Sequence, residues 1–108
     1  MVADIETVMR SSKSYADDVR RVMPVYKVML FGSYAKGTAD KLSDIDICFF
    51  LDSYGGKERI DILGDLLRIS NADDYQNAFF EPIVFQTSDI DNGNPFVKEI
   101  LRTGKEIP

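Results

Sequence analysis

Histidine does not occur in these 108 residues, and cysteine occurs once, as Cys48. Without an imidazole there is no Ser-His-Asp or Cys-His apparatus, no His-ligated zinc and no histidine pH switch. A single thiol closes no intramolecular disulfide and makes no thiolate metal site. Acid–base or metal chemistry must therefore come from carboxylates, with lysine, tyrosine and backbone in support. Long apolar runs are missing too. The longest, Ile47-Cys48-Phe49-Phe50-Leu51, is far too short to cross a bilayer. Met1 to Arg10 lacks a basic segment followed by an apolar one, so no membrane association is expected and a cytoplasmic chain is. Basic residues are in deficit: 13 Lys and Arg stand against 18 Asp and Glu, a net charge of -5. Such a surface is a poor match for a polyphosphate backbone, so long nucleic acid is not the expected partner.

What remains is ordinary globular composition, 44% hydrophobic and 29% charged. The length suits one domain over residues 1–108. Ile5, Val8, Met9, Tyr15, Val19 and Val22 follow helical spacing, with Asp4 as N-cap and Pro24 as stop. Val25 to Phe31 reads as a strand, Gly32 to Lys41 as a turn and short helix, and Ile45 to Leu51 as a second strand. Gly55-Gly56 open a helical stretch with Ile60, Leu63, Leu66 and Leu67 on its apolar face. Asn71 to Gln76 reads as a loop. Ala78 to Phe85 is a third strand, which Pro82 confines to an edge or a bulge. Asn94-Pro95 begin a last helix that turns Phe96, Ile100 and Leu101 inward and stops at Gly104. The fold class expected is α/β or α+β, a small mixed sheet with helices packed on one face.

Two short motifs carry chemistry. In Ser43-Asp44-Ile45-Asp46-Ile47, strand periodicity puts Asp44 and Asp46 on one face, with Cα atoms roughly 6.5 Å apart. Ile45, Ile47, Phe49 and Leu51 face the other way. Paired carboxylates at this spacing suit hard divalent cations, including two-metal sites. Upstream, Gly32-Ser33 follows an apolar strand, where glycine lets backbone approach a ligand and helix-start N–H groups can hold phosphate oxygens. Each motif alone has a plain alternative, a turn or a solvated strand edge. Together they describe a nucleoside-triphosphate site. Gly32 and Gly37 have P-loop spacing, but Thr38-Ala39 stand where Lys and Ser/Thr are required, so that reading fails.

Gly32-Ser33, ten residues, then Asp44-Ile45-Asp46 resembles the signature of the DNA polymerase β-type nucleotidyltransferase superfamily. The chain is most similar to its minimal members, the MNT proteins paired with HEPN partners. The resemblance spans roughly Val25 to Phe85. It implies a nucleotidyltransferase catalytic-core fold in which Gly32 and Ser33 contact the triphosphate of ATP or another NTP. It further implies that Asp44 and Asp46 bind two Mg²⁺, with Mn²⁺ as a substitute, and that a third carboxylate, here Glu81, completes the metal site or acts as base. Lys36 stands where many relatives have arginine, and can neutralise phosphate without the bidentate fork. Glu81 departs from the more usual aspartate, and Pro82 behind it removes a strand donor.

The implied activity is Mg²⁺-dependent transfer of NMP, AMP from ATP, to a hydroxyl acceptor. The implied acceptor is a tyrosine on a small helical HEPN toxin, with this chain as antitoxin. Two alternatives stay open: a binding-only antitoxin or regulatory subunit of the same fold, and a stand-alone small-molecule adenylyltransferase. Tyr34, Tyr54 and Tyr75 are candidates for an exposed apolar rim around the site, where a partner would dock.

Overall fold

Alternation along Ile45–Leu51 divides the molecule into two layers. In a computed structural model, which describes residues 4–37, 44–72 and 79–108, this segment is the strand β2. It lies between β1 (Val25–Phe31), antiparallel to it, and β3 (Phe80–Gln86), parallel to it. A two-residue β4 (Lys105–Glu106) adds antiparallel to β1, so the mixed sheet runs β3-β2-β1-β4. Pro82 lies on the edge strand β3, in register with Ile47 of β2. An edge position tolerates the missing donor.

On one face, Ile45, Ile47, Phe49 and Leu51 of β2 join Val28, Leu30 and Val84 in the larger core. Two helices cover that face: α1 (Ile5–Arg20) and, counted after the short α2 (Gly32–Lys36), α3 (Arg59–Ala72). Helix α1 starts where Asp4 accepts the Thr7 N–H at 2.8 Å, and it buries Val8, Ser11, Ser12, Tyr15, Ala16 and Val19 at helical spacing. Tyr15 ties the layer together. Its hydroxyl donates to the Leu66 carbonyl of α3 at 2.6 Å, and its ring meets Phe49 edge-on at 5.3 Å. Tyr34 of α2 is buried in this same core.

Cys48, Phe50 and Met29 point to the opposite face, where α4 (Pro95–Thr103) covers them with Val97 and Ile100. The expectation of helices on one face is therefore corrected: α4 packs on the other. The cause lies in β2 itself, whose in-between positions Cys48 and Phe50 are apolar as well, so both faces need cover. Three more readings change. Ile60 and Leu67 of α3 are exposed while Ile62 and Leu66 are buried, because α3 presents a narrow face to the sheet. Phe96 is half-exposed, and Val97 takes the inward place. The carboxyl-terminal residues form β4 and bury Ile107 in the larger core, which a two-residue pairing had not signalled.

Candidate active site

Register places the chemistry-bearing residues in one row. Across the sheet, Phe31 of β1 pairs with Asp46 of β2, which pairs with Glu81 of β3. The next row on the same face is Met29, Cys48 and Ile83, both rows lying on the side that α4 covers. Apolar packing fills the second row; the first lies at the end of the sheet where β1 runs into α2 and β2 begins. Cys48 is a buried hydrophobe here, its thiol pushed up by burial, and takes no part in the row.

Asp46 shows what the row does electrostatically. Its carboxyl is raised from an ordinary 3.8 to about 6. Burial is the largest cause. The Glu81 carboxylate follows, by repulsion and by a hydrogen bond to the protonated form, and then the Asp44 charge. Asp44, just before β2, and Glu81 are both exposed at this rim. The three carboxylates named from the sequence thus share one field.

Gly32 approaches the row from below. It has φ +73°, a left-handed conformation, and a Cβ built there would collide with Asp46 Oδ2 and lie 3.1 Å from its Cγ. Only glycine leaves room for the carboxylate while turning the chain from β1 into α2. Ser33 follows in the first turn of α2, and Lys36 stands exposed at its far end. Buried Tyr34 anchors the helix between them. Thr38 to Ser43 lie outside the described residues, as does Tyr75.

Oxygen donors of this kind fit a hard divalent cation, which would offset the burial of the Asp46 carboxylate and the repulsion it meets from Glu81 and Asp44. Asp44, Asp46 and Glu81 are the residues that could hold it. Among the described residues no three such side chains converge closely enough to make a ready-formed metal centre. A cleft of about 480 Å³ lies at the other end of the sheet, between Pro24, Leu51, Tyr54 and Ile62. Its rim charges are engaged with one another: Lys57 pairs with Asp65 at 3.0 Å, and Arg68 pairs with the same carboxylate. Tyr54 is partly buried beside that far cleft, and Tyr34 is in the core, so neither forms an apolar rim around the row.

Phe31 and Phe96 are the residues that sequence reasoning missed here. Phe31 had read as a strand end and Phe96 as a core residue. The pairing of Phe31 with Asp46 could have been found from the antiparallel alignment of the two strands. The position of Phe96 could not.

The sequence model of the nucleotidyltransferase domain family matches residues 12–100. No curated protein matches the sequence significantly. Among solved structures, the chain is similar to a proposed nucleotidyltransferase from Sulfolobus solfataricus, with 21% identity and a TM-score of 0.65 over 94% of this chain and 83% of that one. It is also similar to a chain of a toxin–antitoxin structure with AMP-PNP, at 18% identity and a TM-score of 0.54 over 89% of this chain and 72% of that one. At these identities the likeness is one of fold. Among the described residues no helix is long and apolar enough to cross a membrane.

Proposed function

Since the chain belongs to the nucleotidyltransferase domain family, we propose that it transfers NMP, AMP from ATP, to a hydroxyl on a small helical partner of the HEPN type, and so acts as its antitoxin. The observation that carries this is the row itself: Asp46 raised by burial and then by Glu81 and Asp44, with the Gly32 backbone held against its carboxylate. The toxin–antitoxin neighbour with AMP-PNP supports a nucleotide substrate and a protein partner. The net charge of -5 favours a protein acceptor over a nucleic acid.

In this reading Gly32 and Ser33 position the β- and γ-phosphates with backbone N–H groups and a hydroxyl, and Lys36 adds a point charge. Asp44 and Asp46 would hold the divalent cations, and Glu81 would complete the acceptor-side site or act as general base. Two Mg²⁺, or Mn²⁺, would supply neutralisation of the triphosphate and acidification of the attacking hydroxyl. The acceptor oxygen forms a bond to the α-phosphorus, the bond to pyrophosphate breaks, and the hydroxyl proton passes to a carboxylate, for which exposed Glu81 is the candidate. The Glu81-Pro82 departure from the family pattern is what feeds the binding-only alternative. On an edge strand Pro82 leaves Glu81 paired with Asp46, which supports the enzymatic reading.

The test is calorimetric titration of ATP in Mg²⁺ and in EDTA, followed by incubation with α-labelled ATP and the co-expressed product of the neighbouring gene. Mg²⁺-dependent binding and AMP added to a co-eluting partner are expected. Equal binding in EDTA refutes the site. Co-elution without modification favours the binding-only antitoxin, and turnover without any partner the small-molecule adenylyltransferase.

A further inference from the structure

An aromatic surface adjoins the carboxylate row: Phe31 and Phe85 pack against the smaller core, and Phe96, which belongs to neither core, lies against both. Phe96, in the first turn of α4, keeps 50% of its surface exposed. Its ring meets Phe31 at 6.0 Å and Phe85 at 6.1 Å, both nearly perpendicular. Phe31 stands in the carboxylate row on β1, and Phe85 stands two rows further on β3, in register with Phe50. A ring within about 6 Å of both lies over the inner strand β2 between those two rows, and touches the carboxylate row through Phe31, the register partner of Asp46.

Several contacts hold that ring in place. The Asn94 side chain accepts the Phe96 N–H at 2.9 Å and the Val97 N–H at 3.3 Å, capping the helix. Pro95 fixes the first helical position, and Asn92 Nδ2 donates to Asp89 at 2.7 Å in the loop leading in. Val97 and Ile100 bury the inner face of α4, so the helix is anchored without Phe96. Helix α4 also packs against α2, whose first residues approach the row. A large apolar ring left half in water, on a helix that does not need it for burial, beside a polar site, is suited to an aromatic ligand.

Resting on the reading of the site as a nucleoside-triphosphate site, we infer that Phe96 is the stacking platform for the nucleobase. With the phosphates at Gly32, Ser33 and the carboxylate row, the ribose carries the base away from the row along the same face, toward α4. Stacking is tolerant of base identity, because every base has a π-face. Phe96 therefore supplies affinity for the nucleoside moiety and does not select adenine over guanine. It touches no reacting atom and is a binding residue.

The probes are Mg·ATP, Mg·GTP and Mg·tripolyphosphate, titrated calorimetrically into the full chain and into Phe96→Ala, Phe96→Leu and Phe96→Tyr. Circular dichroism confirms that each variant keeps its helix content. The expected result is an affinity loss of about tenfold for both nucleotides in Phe96→Ala and Phe96→Leu, the scale of one lost base stack. Tripolyphosphate affinity should stay unchanged, and Phe96→Tyr should bind like the parent. Nucleotide affinity unchanged in Phe96→Ala, or lost equally for tripolyphosphate, overturns the inference while leaving the triphosphate site standing. Full affinity in Phe96→Leu overturns it too, since a leucine packs but offers no π-face. A parent chain that binds neither ATP nor tripolyphosphate refutes the underlying site, and the platform with it.

Discussion

Neutralising Asp46 should make the free protein more stable, and only where the native carboxylate is ionised. The carboxyl is raised from 3.8 to about 6 in the fold. Between those values the folded state binds more protons than the unfolded one, so stability falls as pH rises through the window. Below about pH 4 the carboxyl is protonated in both states and the penalty is absent; above about pH 6 it is complete. A shift of about two units corresponds to about 3 kcal/mol at most, at 1.36 kcal/mol per unit. The side chain is partly open to water, and solvent screening cuts this to about 1 kcal/mol. Asp46→Asn keeps the shape and a donor toward Glu81 while removing the charge. In EDTA at pH 7.5 the variant should melt higher by about 4–8 °C, the range for a domain of this size. At pH 4 the two melting curves should converge. Carboxylates outside the row titrate alike in both proteins and cancel in the difference. Adding Mg²⁺ should raise the parent's melting temperature and leave the variant's almost unmoved. An equal loss of stability at both pH values would refute the reasoning. The carboxylate would then be held by favourable contacts and not against burial and repulsion.

Gly32→Ala should cost more than Gly37→Ala, although both glycines have φ near +75°. The left-handed conformation costs each about 1–2 kcal/mol, but only at residue 32 does a Cβ meet Asp46. Urea unfolding of the two variants isolates that contact, and equal midpoints would show that no close approach exists. Glu81→Gln should keep Mg·ATP affinity within a few-fold while slowing AMP transfer by about 10²-fold or more, the scale of a lost general base. An unchanged rate in a single-turnover assay would mark Glu81 as a strand-surface residue only.

Sequence alone determined the local content of this protein. Strand boundaries at Val25–Phe31 and Ile45–Leu51 follow from β-branched and aromatic runs ended by glycine and by polar segments, which are signals carried within a few residues. The Asp4 cap, the Gly104 stop and the edge placement of Pro82 follow in the same way, because each depends on a donor or dihedral of one residue. Asp44, Asp46, Gly32 and Ser33 were legible as a motif, since their spacing within one strand-turn unit fixes which of them share a face. Tertiary structure decided which surfaces meet. That Glu81 stands beside Asp46 depends on the parallel register of β3, set by packing over a distance no local pattern encodes. The placing of α4 opposite α1 and α3, the burial of Tyr34 and the half-exposure of Phe96 depend on which helix packs on which sheet face. Hydrophobic attraction is non-directional, so an apolar residue states that it will be covered without stating by what. The reason Gly32 must be glycine belongs to the tertiary structure as well: the atom that excludes a side chain there is an oxygen of Asp46, brought in by the neighbouring strand.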